Sequence, residues 1–106
     1  MIKDLFSMTG KVCLVTGASS GLGSYMAEGF LAAGAARVFI TGRSEDKLSK
    51  KADELSALSE GQCIPISGDL SDLEGVQALA EAISEREPHL DVLVNNAGLG
   101  LGTQIQ

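Results

Sequence analysis

Aromatic residues and prolines are scarce in this chain of 106 residues. It has no tryptophan, one tyrosine, three phenylalanines and two prolines. A hydrophobic core must therefore be built from Val, Leu, Ile and Ala, and the hydrophobic fraction of 44% is sufficient for one. The length suits one domain, and the composition excludes an intrinsically disordered chain.

Cysteine clusters and long apolar runs are also missing. Cys13 and Cys63 lie far apart, each inside a short apolar run, which predicts buried, reduced thiols, no disulfide and no metal site. No apolar segment is long enough to cross a bilayer. The N-terminal stretch contains Asp4 and no long apolar run, which argues against a secretory signal. These absences predict a cytoplasmic protein without a membrane partner.

Basic residues are outnumbered. Eight Lys and Arg face 14 Asp and Glu, giving a formal net charge of −6. This balance disfavours nucleic acid as the main partner, because phosphate contacts along a nucleic acid need many cations. It is compatible with a single nucleotide, which a few backbone amides and one arginine can hold.

Four short apolar runs alternate with three segments of helical periodicity. The predicted strands span residues 11–16, 37–41, 62–67 and 90–95. Because these runs are mostly continuous rather than alternating, they predict strands buried on both faces of a sheet. The order of strands and helices predicts an α/β fold with a parallel sheet, right-handed crossovers and helices on both faces.

Each predicted helix carries an apolar stripe that should face the sheet. The stripes are Leu22, Tyr25, Met26, Phe30 and Ala33 in the first helix, Leu48, Ala52 and Leu55 in the second, and Val76, Leu79, Ala80 and Ile83 in the third. The first helix starts near Ser20 or Gly21 and ends at Gly34 in a left-handed turn. The second runs from an N-cap at Ser44 to about residue 59. The third begins with a capping box over residues 71–74 and stops before Pro88.

A glycine-rich turn, T-G-A-S-S-G-L-G, joins the first strand to the first helix. Gly17 allows a sharp turn, Gly21 a close approach to a pyrophosphate, and Gly23 tight packing of the helix on the strand. The helix N-terminus attracts phosphate through its unpaired amides, and Ser19 and Ser20 add hydroxyl donors. A turn that serves packing alone is the alternative interpretation.

This turn resembles the cofactor motif of the short-chain dehydrogenase/reductase family. Asp69-Leu70 after the third strand and Asn95-Asn96-Ala97-Gly98 after the fourth resemble two more motifs of that family. The resemblance covers about residues 9–98 and reaches the first half of the family's usual length. It implies a Rossmann-type doubly wound sheet, truncated to four strands in the order 3-2-1-4 with three helices. Residues 1–106 are then a partial NAD(P)-binding domain without its C-terminal catalytic half.

Arg43 indicates which nicotinamide cofactor is preferred. It follows the second strand, about where a Rossmann fold reads the adenosine ribose. An acid there would select NAD(H), whereas a guanidinium can bind a 2′-phosphate with two hydrogen bonds. The resemblance implies the same, because NADP-preferring relatives carry a basic residue at this position. NADP(H) is therefore predicted over NAD(H), and the alternative is that Arg43 is a solvated loop residue.

The resemblance also implies roles for other residues. Asp69 would accept a hydrogen bond from the adenine amino group beside the Leu70 backbone, although a simple turn residue is the alternative. Asn96 and Gly98 would lie along the ribose, and Asn95 would connect neighbouring strands. The predicted cofactor site is Gly17, Ser19, Ser20, Gly21, Leu22, Gly23, Arg43, Asp69, Leu70, Asn96 and Gly98.

No catalytic centre is predicted in this chain. The family uses a Tyr-x-x-x-Lys pair for acid–base chemistry, but Tyr25 is followed four residues later by Gly29 and falls on the predicted core stripe. His89 is predicted to be a surface residue with no suitably spaced Ser, Cys or Asp.

Two functional hypotheses remain open. One is the cofactor-binding part of an NADP-dependent reductase or dehydrogenase, loosely similar to 3-oxoacyl carrier-protein reductases and homo-oligomeric as a whole. The other is a non-catalytic nucleotide-binding protein. A flavodoxin-like receiver is disfavoured, because it would place several acids at the strand ends.

Overall fold

Four parallel strands and three helices alternate along the chain in a computed structural model, which describes residues 7–18 and 21–96. The strands are β1 (Val12–Val15), β2 (Arg37–Gly42), β3 (Gln62–Ser67) and β4 (Val92–Val94). The helices are α1 (Gly21–Ala32), α2 (Glu45–Ser56) and α3 (Leu73–Ser84). The sheet order is β3-β2-β1-β4 with every pair parallel, which confirms the predicted topology. None of the described helices could span a membrane.

The core lies on both faces of the sheet because the side chains of β1 alternate between them. Cys13 and Val15 pack in one cluster with residues of α1 and α2, such as Ala27 and Leu48. The neighbouring strand positions, including Leu14, pack in a second cluster under α3. All four residues of β1 are buried, which explains the continuous apolar run in the sequence.

The predicted core stripe of α1 is wrong at Leu22 and Tyr25, whereas Phe30 is partly buried against the core as predicted. Tyr25 is 71% exposed and Leu22 is 58% exposed. The residues that α1 buries are one position out of phase with the prediction: Gly23, Ser24, Ala27 and Leu31. Gly23 packs against the glycine turn, so the first half of the helix approaches the sheet through small residues, Gly23, Ser24 and Ala27, and turns Leu22 and Tyr25 outward. Tyr25 is therefore a surface residue.

The predicted stripe of α3 is only partly buried. Ile83 is its one buried residue, Leu79 packs against the core, and Val76 and Ala80 are exposed. The N-terminal half of α3 stands away from the sheet and leaves a cleft that Val76 and Ala80 line.

Helices α2 and α3 both begin with a side-chain N-cap, as the sequence predicts. Ser44 accepts a hydrogen bond from the Lys47 amide, which confirms it as an N-cap. In α3 the N-cap is Asp72, whose Oδ1 accepts from the Gly75 amide at 2.8 Å. The predicted capping box over residues 71–74 is therefore one residue out of place. The Ser71 amide instead donates to the Asp69 carboxylate.

Helix ends and strand lengths differ slightly from prediction. Gly34 has φ +106°, so the left-handed turn after α1 is confirmed. The second helix ends at Ser56, and β4 comprises three residues. Differences of this size are common at element boundaries.

Ion pairs and a backbone contact brace the amino ends of the strands. Arg37, at the start of β2, binds the buried Glu87 carboxylate through Nε and through Nη2, the latter at 3.0 Å. Asp91 Oδ2 accepts from the Val12 amide at 2.8 Å, and its Oδ1 lies 3.4 Å from His89 Nε2. His89 is exposed as predicted.

Both thiols are buried and free, as predicted, and β2 lies between their strands. Burial raises the pKa of Cys13 to about 11, with Asp91 adding to the rise, and raises that of Cys63 to about 12. The folded state thus favours the neutral thiols.

We expect thiol reactivity and pH stability to follow from these pKa values. At about pH 8, a pKa two units above the ordinary value of 9.0 lowers the thiolate fraction of Cys13 about a hundredfold. Ellman's reagent should label both thiols slowly in the native chain and rapidly in urea. This contribution to the free energy of unfolding is full below pH 9 and is lost as the pH rises towards 11–12. Fast native labelling of either thiol would contradict the burial.

A second prediction concerns the β4 edge. Among the described residues β4 pairs only with β1, and Leu93 is 61% exposed. An apolar sheet edge promotes association. Leu93→Lys should shift the 106-residue chain towards monomer in sedimentation velocity. Leu58→Lys is the control, because Leu58 is similarly exposed at 68% but lies outside the sheet. Equal effects of the two substitutions would exclude the edge as the cause.

Candidate functional site

The glycine turn lies at the carboxyl ends of the strands, where the chain reverses direction across the sheet. From β1 the chain moves outward to β2 and β3, and β4 then returns to the other side of β1. In doubly wound sheets ligands bind in the crevice outside the strand ends at such a switch point. The topology therefore places the turn where a nucleotide site is expected.

Two glycines give the turn its shape. Gly17 and Gly21 both have φ +64°, a backbone conformation that residues other than glycine rarely adopt. A Cβ at Gly21 would meet nothing within 4 Å among the described residues, so these leave open space at the start of α1. The Ala18 amide donates to the Thr41 carbonyl at 3.0 Å and thereby ties the turn to β2.

Gly23 allows the first turn of α1 to pack against this loop. A Cβ there would overlap the Gly17 carbonyl oxygen and lie 2.7 Å from Asn96 Nδ2 and 3.0 Å from Ala18 Cα. The same Asn96 amide donates to the Gly17 carbonyl at 3.1 Å. The loop is therefore held by the helix on one side and by the end of β4 on the other.

Asn95 connects two strand ends, as predicted. Its Oδ1 accepts from the Thr16 hydroxyl at 3.1 Å, and the Thr16 amide donates to the Val94 carbonyl at 3.0 Å. This joins the end of β1 to the end of β4 beneath the glycine turn. The contact of Asn96 with the turn, in contrast, is a positioning role that sequence reasoning missed.

A cleft of about 980 Å³ opens at this edge of the sheet. Its polar end is formed by Gly17 of the turn, by the last residues of β2 and by residues that follow β2 and β3: Gly17, Thr41, Gly42, Arg43, Ser44, Lys47, Gly68, Asp69, Leu70 and Ser71. Its apolar end continues between the sheet and α3. The volume lies at the upper end of the roughly 300–1,000 Å³ that small-molecule sites occupy.

Arg43 and Asp69 meet at the polar end of the cleft. Arg43 Nε lies 3.5 Å from Asp69 Oδ1, and the Arg43 side chain is 77% exposed. Asp69 Oδ1 also accepts from the Ser71 amide at 2.9 Å. Hydrogen bonds from Ser71, with a smaller contribution from Arg43, lower the pKa of Asp69, so it is ionised at neutral pH. Two alternative interpretations from the sequence were that Arg43 is a solvated loop residue and that Asp69 is a turn residue. Both descriptions fit the structure, because Arg43 is exposed and Asp69 accepts the Ser71 amide in a turn.

The remaining predicted site residues are distributed unevenly. Leu22 is exposed at the start of α1, and Leu70 lines the cleft. Ser19, Ser20 and Gly98 lie outside the described residues. Sequence reasoning missed Thr41 and Lys47, both of which line the cleft. The sequence could have indicated Lys47, because it stands three residues after the predicted N-cap Ser44. For Thr41 the sequence offers only its position near the end of a predicted strand.

The residues present fit a nucleotide cofactor. Thr41 is 1% exposed, and its hydroxyl has no hydrogen-bond partner within the described ranges. Such a buried polar group normally has a partner, so its position in the wall of the cleft suits a polar ligand. The open space at Gly21 and the cation at Arg43 suit phosphate groups.

Comparison with known proteins identifies the family. Residues 11–106 match the family model described as short chain dehydrogenase, and the chain belongs to this family. It is 45% identical over 101 residues, 95% of its length, to the rhamnolipids biosynthesis 3-oxoacyl-[acyl-carrier-protein] reductase of Pseudomonas aeruginosa.

Solved structures agree in fold. The Pseudomonas aeruginosa RhlG/NADP active-site complex matches 86% of this chain with a TM-score of 0.80 and 45% identity. L-sorbose reductase from Gluconobacter frateurii, complexed with NADPH and L-sorbose, matches 88% with a TM-score of 0.83 and 35% identity. The chain spans 38% of the length of the first reductase and 36% and 35% of the two solved chains.

The packing at Gly23 can be tested within one helix. Gly23→Ala should lower the free energy of unfolding by about 1–3 kcal/mol, because the added methyl group overlaps the glycine turn. Gly29→Ala is the matched control in α1, since a Cβ there meets nothing within 4 Å. It should raise stability by up to about 1 kcal/mol through helix propensity. Urea denaturation measures both, and a neutral Gly23→Ala would show that the contact is unimportant.

Proposed function

We propose that residues 1–106 are the NADP(H)-binding part of an oxidoreductase that transfers hydride between NADPH and a carbonyl or alcohol substrate. The observation that carries this proposal is the glycine turn at the start of α1, beside a cleft with a cation at the end of β2. The NADP and NADPH complexes of the two solved relatives support the choice of cofactor.

The proposed residue roles follow the geometry of the turn. The backbone around Gly17, Gly21 and Gly23 binds the diphosphate, because α1 presents unpaired amides there. Arg43 binds the 2′-phosphate, and Asp69 accepts from the adenine amino group. Asn96 positions the turn next to the ribose. The proposed contact set is Gly17, Ser19, Ser20, Gly21, Leu22, Gly23, Arg43, Asp69, Leu70, Asn96 and Gly98.

The cofactor supplies the hydride, and this chain supplies binding and orientation. Tyr25, the only tyrosine, is exposed on α1 and is followed four residues later by Gly29, so it does not form the family's Tyr-x-x-x-Lys pair. We therefore propose that the 106 residues bind cofactor without turnover. A 3-oxoacyl thioester is the substrate class proposed for the whole enzyme, supported by the name of the Pseudomonas aeruginosa relative.

A non-catalytic nucleotide-binding protein is the alternative hypothesis. Carbonyl-dependent NADPH oxidation distinguishes the two. The 106-residue chain should show none, whereas a chain extended to the length of its relatives should show activity if it is the enzyme. A longer chain that binds NADPH but does not oxidise it with any 3-oxoacyl thioester or simple ketone would favour the alternative hypothesis.

Arg43→Asp tests the cofactor preference. Replacing the cation by an acid should repel a 2′-phosphate and favour a 2′-hydroxyl, so the ratio of NADPH to NADH affinity should fall by about a hundredfold, roughly 2.7 kcal/mol. Arg86→Asp makes the same change in net charge at an exposed position after α3 that does not line the cleft. Fluorescence titration of both cofactors measures the ratio. Equal binding of NADPH and NADH by the unmodified chain would refute the assignment.

A further inference from the structure

Without Lys47, the charges of Arg43 and Asp69 at the polar end of the cleft cancel. Arg43 carries a positive charge, and Asp69 carries a negative charge 3.5 Å from it. A ribose 2′-phosphate brings about two negative charges at neutral pH. Because Asp69 compensates Arg43, the pair alone provides little net attraction for such a group. A second cation is needed for a strong preference.

Lys47 lies in the position to supply that cation. It belongs to the first turn of α2, three residues after the N-cap Ser44, and residues at this spacing share one face of a helix. Arg43, Ser44 and Lys47 all line the cleft, whereas Glu45 and Asp46 between them do not. The helix therefore turns its cation towards the cleft and its two acids away from it.

The Lys47 ammonium is also uncompensated. In the part of the chain that the structure describes, no carboxylate lies within 4.0 Å of it. The other two lysines of α2 lack this combination of a free ammonium group and a position in the cleft wall. Lys51 is paired with Glu54 at 3.1 Å, and Lys50 is exposed but does not line the cleft.

We propose that Lys47 binds the 2′-phosphate of the cofactor together with Arg43 and is thereby a determinant of NADP(H) preference. This inference rests on the proposed function, since it assumes that the adenosine end of a dinucleotide occupies the polar end of the cleft. Asp69 holds Arg43 through Nε, which leaves the terminal nitrogens of the guanidinium for the same phosphate. The site then pairs a fork-shaped donor with a flexible point charge.

The test uses two ligands that differ only by the group in question. Adenosine 2′,5′-bisphosphate and AMP are titrated by calorimetry into the unmodified chain and into Lys47→Gln. Loss of one charged contact should weaken binding of the bisphosphate about tenfold, close to 1.4 kcal/mol, and change AMP binding less than about twofold. Lys50→Gln, the matched control on the same helix, should change neither, and Lys47→Arg should keep the preference. Thermal melts confirm that the variants fold alike.

The possible outcomes are distinguishable. If the unmodified chain binds both ligands equally, or neither, the proposed NADP(H) function fails and this inference fails with it. If it prefers the bisphosphate and Lys47→Gln keeps that preference, the inference alone is wrong. Equal weakening of both ligands by Lys47→Gln, or an equal effect of Lys50→Gln, would mean a general charge effect and would also overturn it.

Discussion

Close contact between the first turn of α1 and the glycine turn is the constraint on which the site depends. With no side chain at Gly23, the helix starts directly above the Gly17 carbonyl, and Asn96 holds that carbonyl from the end of β4. The open space at Gly21 then lies at the helix N-terminus, where unpaired amides attract phosphate. Any larger residue at Gly23 would displace the helix and the loop together.

The same contact explains how the rest of α1 is oriented. A helix pinned by glycine buries Ala27 and Leu31, which are in register with that glycine, and leaves Tyr25 in solvent. On the other sheet face, α3 has a close contact of its own, because Gly75 packs against the Asp69 carbonyl in the loop after β3, but Ile83 near its C-terminus is its one buried residue. The cleft lies on this face, which α3 covers only in part.

The polar end of the cleft combines residues from three strand ends. Arg43 follows β2, Asp69 follows β3, and the glycine turn follows β1. Parallel strands place all of these carboxyl ends at one edge, so residues far apart in sequence share a site. At the opposite edge Arg37 pairs with Glu87, and Glu87 lines the far end of the same cleft, away from Arg43 and Asp69. The membership of the chain in the short-chain dehydrogenase family agrees with this arrangement.

The sequence by itself determined the approximate positions of the strands and of the glycine turn, whereas the order of the strands in the sheet was implied by the resemblance to the short-chain dehydrogenase/reductase family. The continuous Val, Ile and Leu runs correctly predicted buried strands at β1 and β2, but the prediction of burial on both faces was wrong for β3 and β4, in which Cys63 is the one buried residue. The glycines at 17, 21 and 34 have positive φ in the structure. Only the tertiary structure decided which face of α1 is buried, that Arg43 meets Asp69, and that Lys47 lines the cleft. The periodicity of apolar residues reports only which side chains are polar. The buried face of α1 depends on how closely two backbones approach, and the contacts of Arg43 and Lys47 depend on which strand ends become neighbours.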